Sequence, residues 1–198
     1  DTVRPLSLYA HIPFCHSLCY YCACHKIVTR TPGVADQYLD YLFREAAMHG
    51  RLYDSSRPVR QLHLGGGTPT YLSDEQMGRL MAGLGEHFPL LTEGDREYSI
   101  EIDPRTTGSE TIPLLAELGF NRLSMGIQDF DPRVQRAVNR IQAPDHTLGL
   151  LSQARDAGFL SVSVDLIYGL PFQNMQRFRE TLEMVIAARP DRIATYNY

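Results

Sequence analysis

The sequence alternates between short apolar runs and longer segments with helical periodicity, and this alternation restricts the fold more than any other feature. Five segments carry apolar residues three and four positions apart, which predicts helices. Six runs rich in apolar and β-branched residues are predicted strands, at 6–14, 59–67, 97–103, 121–130, 161–170 and 192–198. Strands that alternate with helices through short connections predict parallel strands with helices packed outside them.

Local signals mark where the helices begin and end. Ser73 and Gln76 form a capping-box pattern at the start of the second helix. Gly119 and Gly158 stand where a helix C′ residue is expected, and the last helix ends before Pro190. Six strands and five intervening helices predict an α/β fold, more specifically a partial (β/α)6 TIM-like barrel rather than a doubly wound sheet. In either architecture the ligand site lies at the C-terminal ends of the strands.

The composition is that of an ordinary globular domain. The chain has 198 residues, of which 43% are hydrophobic and 21% charged, so it is long enough to bury a core. A net charge of -4 gives no general attraction to nucleic acid or to an anionic membrane. There is no apolar run of about 18 residues for a membrane span, and the first residues lack the features of a signal peptide. We expect a cytoplasmic monomer that binds no nucleic acid.

Chemically distinctive residues follow the predicted strands at their C-terminal ends. The cysteines follow the first strand, and the glycines at 65–67 end the second. Glu101 and Asp103 close the third strand, Gln128 the fourth and Asp165 the fifth. Because the ends of parallel strands meet at one edge of a sheet, we expect these residues to surround one site. Asp103, which precedes a proline, is typical of a turn.

All four cysteines of the chain lie within ten positions. Cys15, Cys19 and Cys22 form a C-x₃-C-x₂-C pattern, and Cys24 follows two residues later. In a reducing compartment such a cluster favours metal binding or redox chemistry over disulfides. Structural zinc commonly uses four thiolate or imidazole ligands, and Cys24 or a neighbouring histidine would complete that set. The other interpretation is a [4Fe–4S] cluster on three thiolates with one iron left open. The residues alone leave both metal sites open.

The cysteine pattern, with an aromatic residue before its last cysteine, resembles the signature of the radical S-adenosylmethionine (SAM) enzymes, whose usual fold is a partial (β/α)6 barrel. The wider sequence resembles the oxygen-independent coproporphyrinogen III oxidase (dehydrogenase) family of bacterial haem biosynthesis. Six stretches carry this resemblance in order and approximate spacing across nearly the whole chain: LYAHIPFCHSLCYYCACHKIVTR, HLGGGTPTYL, SIEIDPR, LSMGIQDF, VQRAVNR and DLIYGLP.

The resemblance implies how the cofactors are held. It makes Cys15, Cys19 and Cys22 the cluster ligands, with the open iron chelating the amino and carboxylate groups of SAM. An electron from the cluster then cleaves the sulfonium bond, giving methionine and a 5′-deoxyadenosyl radical. A backbone edge made of glycines lets the methionine part of SAM approach closely. The positions implied at this first SAM are Tyr9, Gly66, Gly67, Thr68 and Glu101.

The resemblance also implies a second SAM beside the first, with Cys24 and Tyr21 as candidate catalytic residues. Related haem chaperones usually carry an aromatic residue where Cys24 stands. Tyr21 replaces an expected phenylalanine, and Ala23 and His25 stand where Gly and Asn are expected. The positions implied at the second SAM are Tyr21, Cys24, Gln128, Arg140 and Asp165.

Two polar residues on strands need partners. Asp165 lies among apolar neighbours, where an unpaired carboxylate is costly, so it needs a ligand or an arginine, and Arg140 is a candidate. His11 is expected to be a hydrogen-bonded structural histidine rather than a ligand.

The function implied by the resemblance is the conversion of coproporphyrinogen III to protoporphyrinogen IX by oxidative decarboxylation of two propionates. It requires an electron donor for the cluster, which the sequence does not identify. A haem-binding chaperone of the same superfamily and a structural zinc module are the alternatives. Because the chain stops at a strand end, we expect residues 1–198 to be the catalytic domain of a longer protein that continues beyond its C-terminus, with little turnover alone.

Overall fold

A computed structural model describes residues 4–198, and its centre is a sheet of six parallel strands. Two further short strands, β2 and β3, pair only with each other. The large sheet has the order β1-β4-β5-β6-β7-β8. In chain order the strands are β1 (Leu6–Ile12), β2 (Phe14–Cys15), β3 (Ile27–Val28), β4 (Val59–Gly66), β5 (Glu97–Ile102), β6 (Arg122–Gln128), β7 (Ser161–Tyr168) and β8 (Arg192–Asn197). All six predicted strands are present.

Helices follow the strands of the large sheet. Five of them match the five predicted segments. The sixth, α4, was not predicted because six residues are too few to show a helical period. In chain order the helices are α1 (Val34–Gly50), α2 (Asp74–Gly85), α3 (Thr111–Glu117), α4 (Pro132–Ala137), α5 (Pro144–Asp156) and α6 (Met175–Ala188). Within residues 4–198, none of these helices has both the length and the apolar character required to cross a bilayer.

The predicted helix boundaries are confirmed. Ser73 Oγ accepts a hydrogen bond from the backbone N–H of Gln76, and the Gln76 side chain accepts one from the N–H of Ser73. Gly119 and Gly158 adopt φ values of 95° and 87° after α3 and α5, in the left-handed region that glycine adopts without strain.

The strand order decides between the two predicted architectures. Each connection advances the sheet by one strand in the same direction, so spatial order equals chain order. A doubly wound sheet instead reverses its order at a switch point. Within residues 4–198, β1 and β8 do not pair, so the barrel is open along one side. The predicted partial barrel is therefore confirmed.

The two faces of the sheet differ in polarity. Side chains of β5 and β6 alternate strictly between buried and partly exposed positions. The buried set, including Ile100 and Met125, packs under the helices and forms the main core. The alternate set, including Glu101 and Ser124, faces the concave inside of the partial barrel. The inner face is thus polar and open, which is where a ligand site has room.

Candidate functional site

A cleft at the C-terminal ends of the strands contains twelve of the thirteen predicted site residues. It encloses about 710 Å³, a volume that includes its open mouth. The twelve residues are Cys15, Cys19, Tyr21, Cys22, Cys24, Gly66, Gly67, Thr68, Glu101, Gln128, Arg140 and Asp165.

Tyr9 is the exception, because it lies beside this cleft on β1 rather than in its lining. Its ring stacks on His63, with 5.7 Å between the centroids, and its hydroxyl is 2.9 Å from His11 Nδ1. His11 Nε2 lies 2.9 Å from the backbone oxygen of His25. Both ring nitrogens of His11 therefore have partners, as expected for a structural histidine.

The register of the sheet brings the polar residues together. Glu101 pairs with Ser124 on the neighbouring strand, and Gly126 pairs with Asp165 on the next. Paired residues of neighbouring strands point to the same face, so their side chains share one surface. This is the physical reason that residues far apart in the sequence line one cleft.

The cysteine loop is fastened to the segment that follows α4. The backbone N–H of Tyr20 donates to the oxygen of Val138 at 3.0 Å, and Asn139 Nδ2 donates to the oxygen of Leu18 at 2.7 Å. All four thiols are free, with Cys19 buried and Cys24 exposed. The sequence alone did not predict this attachment.

Two of the thiols face polar side chains from other parts of the chain. Cys15 Sγ lies 3.4 Å from Thr68 Oγ1. Cys19 Sγ accepts from Arg105 Nη2 at 3.3 Å and from Arg140 Nη1 at 3.7 Å. Arg105 was missed in the sequence, although its position two residues after a strand-end carboxylate is a recognisable signal.

Cys22 and Cys24 behave as a pair. A hydrogen bond from the Cys24 thiol lowers the pKa of Cys22 to about 5, while partial burial opposes the change. The same hydrogen bond, together with burial, raises the pKa of Cys24. Lys26 Nζ donates to the backbone oxygen of Cys22 at 2.8 Å, which places a positive charge nearby. Cys22 is therefore the more acidic thiol of the pair, and the thiolate is the form that binds metal.

The thiols of the loop are the donor type that an iron–sulfur cluster uses. Within residues 4–198 their side chains do not converge on one point, as the ligands of a single metal ion do. The thiolates of a [4Fe–4S] cluster bind different irons and need not point to one atom. The donors that face Cys15 and Cys19 also suit the net negative charge of a cluster bound by thiolates.

The end of β4 leaves no room for side chains. A Cβ on Gly66 would lie 2.6 Å from the His11 ring, and one on Gly67 would lie 2.6 Å from the backbone oxygen of Pro13. Gly66 also adopts a φ of 116°, which disfavours other residues. A bare backbone edge therefore faces the cleft beside the cysteine loop, and it fits the close approach of a ligand such as SAM.

Glu101 is held from two sides. Its Oε2 accepts from the backbone N–H of Gly66 at 3.3 Å, and its Oε1 lies 3.2 Å from His63 Nε2. His63 Nδ1 is in turn 2.6 Å from Ser99 Oγ. The sequence interpretation missed His63 and Ser99 as supports for Glu101. Strand periodicity was the available signal, since Ser99 and Glu101 are two residues apart and share a face.

Asp103 anchors two arginines in the interior. It is 6% exposed, and its Oδ2 accepts from Arg105 Nη2 at 2.6 Å and from Arg140 Nη1 at 3.1 Å. Burial alone would raise its pKa, but Arg140 and Arg105 outweigh burial and lower it. Asp103 Oδ1 also accepts from the backbone N–H of Arg105 at 3.0 Å, so the expected turn is present.

The suggested pairing of Asp165 with Arg140 is wrong. Arg140 pairs with Asp103 instead, and its Nη2 donates to the backbone oxygen of Gly126 at 2.7 Å. Among the described residues, the Asp165 carboxylate accepts one hydrogen bond, of 3.4 Å, from Ser124 Oγ. Burial, and then the charge of Glu101, raise the pKa of Asp165. The carboxyl group at 165 is thus left facing the cleft without a cationic partner in contact.

Within residues 4–198, two buried polar atoms of the cleft residues have no hydrogen-bond partner. They are Gln128 Oε1 and Arg140 Nε. Gln128 also has a φ of 66° at the end of β6, a conformation that costs energy for residues other than glycine. Unpaired buried polar groups are unusual and call for an explanation. A ligand that offers one donor and one acceptor would satisfy both, and SAM carries both.

Comparisons with known proteins agree with this geometry. Residues 9–185 match the model of the radical SAM superfamily. The oxygen-independent coproporphyrinogen III oxidase of Salmonella typhimurium is 53% identical over 195 residues, which are 98% of this chain and 42% of the relative. The protein of the same name from Pseudomonas aeruginosa is 50% identical, with the same coverage.

A solved structure of coproporphyrinogen III oxidase from Escherichia coli, described as a radical SAM enzyme, superimposes with a TM-score of 0.94 at 52% identity. The match covers 98% of this chain and 44% of that one. The chain therefore spans less than half the length of these relatives. Methylornithine synthase, at 15% identity and a TM-score of 0.63, shares the fold.

Proposed function

Because this chain belongs to the radical SAM superfamily, we propose that its cleft is the radical-generating site of an oxygen-independent coproporphyrinogen III oxidase (dehydrogenase). Membership of the superfamily implies a [4Fe–4S] cluster and SAM as cofactors. The substrate is carried over from the relatives: coproporphyrinogen III would become protoporphyrinogen IX. Each of two propionates would lose one hydrogen atom, CO₂ and one electron. The observation that carries the proposal is the convergence of twelve predicted site residues in one cleft.

Three thiolates would hold the cluster. Cys15, Cys19 and Cys22 line the same end of the cleft and come from one short loop. Together with SAM, the bound cluster supplies one-electron cleavage of SAM and so a radical that abstracts hydrogen. The three cysteines would each bind one iron of the cluster and leave the fourth iron accessible. The physiological electron donor would be a partner of the whole protein.

The end of β4 and Glu101 would hold the first SAM. The bare backbone at Gly66 and Gly67 lets the methionine part approach within hydrogen-bond distance. Glu101 is a hydrogen-bond acceptor suited to the two ribose hydroxyls, and its contacts to Gly66 and His63 orient it before the ligand arrives. Thr68 and Tyr9 complete the predicted contacts. Pre-orientation reduces the entropy lost on binding.

A second SAM would lie beside the first. Gln128 Oε1 and Arg140 Nε would be its acceptor and donor, and they support this assignment because they have no hydrogen-bond partner within residues 4–198. Asp165 adds a carboxylate suited to the positive sulfonium and ammonium groups of SAM. Tyr21 and Cys24 line the same cleft, next to the cluster ligands, and are the proposed catalytic side chains.

Anaerobic reconstitution of the chain with iron and sulfide tests this function. After addition of SAM and a chemical reductant, we expect broad visible absorption from the cluster and formation of 5′-deoxyadenosine. Parallel reactions contain coproporphyrinogen III or haem. Bound zinc without visible iron–sulfur absorption would contradict the proposal. Tight haem binding without any cleavage of SAM would instead identify a haem-binding protein.

A further inference from the structure

Arg105 reaches the most buried of the predicted cluster ligands. We propose that Arg105, held by Asp103, is a positioning residue that donates a hydrogen bond to the Cys19 thiolate and thereby makes the bound cluster easier to reduce. This inference rests on the proposed function, since it requires a cluster on Cys19. It gives Arg105, the last residue of the SIEIDPR stretch, a physical role that the resemblance does not assign.

The guanidinium of Arg105 is fixed by contacts at all three nitrogens. Nε and Nη2 both donate to the Asp103 carboxylate, at 3.0 Å and 2.6 Å, so the arrangement is a two-point fork. Nη1 lies 3.3 Å from Ser17 Oγ and 3.4 Å from the backbone oxygen of Asn139. Nη2 lies 3.3 Å from Cys19 Sγ. A side chain bound in this way points one N–H at the sulfur with little freedom to move away.

The surroundings of the three ligands are unequal. Two guanidiniums, from Arg105 and Arg140, and one carboxylate, from Asp103, lie around Cys19, so this corner carries a net positive charge. Cys15 faces the neutral hydroxyl of Thr68, and Cys22 has the single positive charge of Lys26 nearby, bonded to its backbone oxygen. The side chains of Asp103 and Arg105 are 8% and 20% exposed, so water screens their charges poorly. Cys19 is therefore the ligand whose sulfur two guanidiniums contact directly.

The expected consequence is electrostatic. Reduction adds one negative charge to the cluster, and hydrogen bonds and positive charge at its sulfurs stabilise that added charge. Contacts beyond the ligands tune a metal centre in this way without touching the metal. Arg105 should therefore raise the reduction potential of the cluster. Asp103 contributes by holding the guanidinium in place and by keeping two arginines close together.

A purely structural role for Arg105 makes a different prediction. Its contacts with Ser17 and Asn139 also join the cysteine loop to the segment after α4. If that were its only role, substitution would lower the melting temperature but leave the potential of any assembled cluster unchanged. The reduction potential thus separates the two roles.

The test is an anaerobic redox titration of the reconstituted chain, followed by electron paramagnetic resonance of the reduced cluster. Arg105→Gln is expected to shift the one-electron reduction equilibrium at least tenfold toward the oxidised cluster, about 59 mV to more negative potential. Arg105→Lys keeps the positive charge but loses the two-point contact with Asp103. Its reduction potential should therefore shift in the same direction as that of Arg105→Gln, but by less. The control is Arg79→Gln, which removes the same charge from an exposed arginine paired with Asp36 and Asp40.

Each outcome has a definite meaning. If the wild-type chain takes up no cluster, the proposed function fails. If it takes up a cluster and Arg105→Gln has the wild-type potential, only the present inference fails. Should Arg105→Gln take up no iron or melt early, Arg105→Lys decides: a wild-type potential overturns the inference and a negative shift supports it. An equal shift in Arg79→Gln would also overturn it, because net charge alone would then explain the effect.

Discussion

Gln128 combines two unfavourable features at one residue. Its backbone is in the left-handed region, with a φ of 66°, and its side-chain Oε1 is buried without a partner. Glycine adopts this backbone conformation without strain. Replacement of Gln128 by glycine therefore removes the side-chain amide and also relieves the backbone strain. If Gln128 serves binding rather than folding, this variant should lose ligand binding without losing stability.

Gln128→Gly is expected to lower the number of bound SAM molecules per chain from two to one. Cluster content and melting temperature should stay at or above the wild-type values. Equilibrium dialysis with labelled SAM on the reconstituted chain measures the stoichiometry. Glu101→Gln is the matched comparison, and it should weaken the binding of the first SAM instead. An unchanged stoichiometry of two in Gln128→Gly would contradict the assignment of Gln128 to the second site.

Asp165 should make the ligand-free chain less stable at neutral pH. Burial, and then Glu101, raise its pKa in the folded state. A carboxyl group with a raised folded pKa stabilises the fold below its unfolded pKa, about 3.9. That contribution is lost as the pH rises through the folded pKa.

Asp165→Asn is therefore expected to melt at a higher temperature than wild type at pH 7, and the difference should disappear below about pH 4. For a chain of this length, each kcal/mol of change in the free energy of unfolding shifts the melting temperature by about 2–4 °C. Thermal melts across pH in the absence of SAM measure the effect. The control is Glu183→Gln, which removes an exposed carboxylate on α6. If the melting temperature of Asp165→Asn exceeds that of wild type by the same amount at low pH as at pH 7, a raised pKa of Asp165 is not the cause.

The cysteines differ in predicted role although they lie within ten residues. Substitution of Cys15, Cys19 or Cys22 by serine should remove most of the bound iron. Loss of a direct ligand should weaken cluster binding by more than the 10- to 100-fold in metal affinity that loss of an outer contact typically costs. Cys24→Ser should retain the cluster, because three thiolates remain. Iron and sulfide content per chain, with the visible spectrum, measures both. Equal loss of iron in all four variants would point to four ligands and against an open iron.

At the scale of elements, the end of β4 and the cysteine loop depend on each other. The N–H of Gly67 donates to the backbone oxygen of Ile12 at 2.8 Å, and a Cβ at Gly67 would lie 2.6 Å from the oxygen of Pro13 and 2.8 Å from that of Phe14. These obstacles are backbone atoms, which do not rotate away. The spacing between β4 and the loop is therefore set by the absence of a side chain.

Gly67→Ala is expected to lower the free energy of unfolding by about 1–3 kcal/mol, the usual cost of overpacking. Gly149→Ala is the matched control, because no atom lies within 4 Å of a Cβ at that position in α5. In a helix interior this change should raise stability by up to about 1 kcal/mol. Urea denaturation of both variants measures the difference. Equal effects would mean that the close approach at Gly67 is not maintained in solution.

At the scale of the whole molecule, the partial barrel is open. Five of the six residues of β8 are exposed, and β1 and β8 do not pair within the described residues. The predicted residues for the cluster and SAM lie inside residues 1–198, whereas no substrate-binding residues were predicted there. The relatives that match are more than twice as long. Generation of the radical and use of the substrate are thus separable in principle.

The 198-residue chain is therefore expected to cleave SAM under reducing conditions but to consume coproporphyrinogen III at or near the background rate. Chromatographic assay of 5′-deoxyadenosine and of porphyrinogen products in the same reaction measures both steps. Addition of the substrate should change 5′-deoxyadenosine formation little. Sustained formation of protoporphyrinogen IX by this chain would contradict the expectation.

Local sequence was sufficient for the elements and for the family. The six strands, the capping box at Ser73 and the glycine ends of α3 and α5 depend on residues close in the chain, and all are confirmed. The partial barrel and the radical SAM resemblance are confirmed as well. The roles of the site residues stay predictions. Short elements such as α4 and the β2–β3 pair escaped because too few residues carry their pattern.

Side-chain partners, in contrast, required the three-dimensional structure. Arg140 was suggested as a partner of Asp165, but it pairs with Asp103, and Arg105 completes that group. The strand ends share one edge, so the sequence offers each charged group several possible partners. Distance and burial decide which pairs form, and neither is encoded in the local pattern. A local motif can specify a strand end, but only packing places one particular N–H against the sulfur of Cys19.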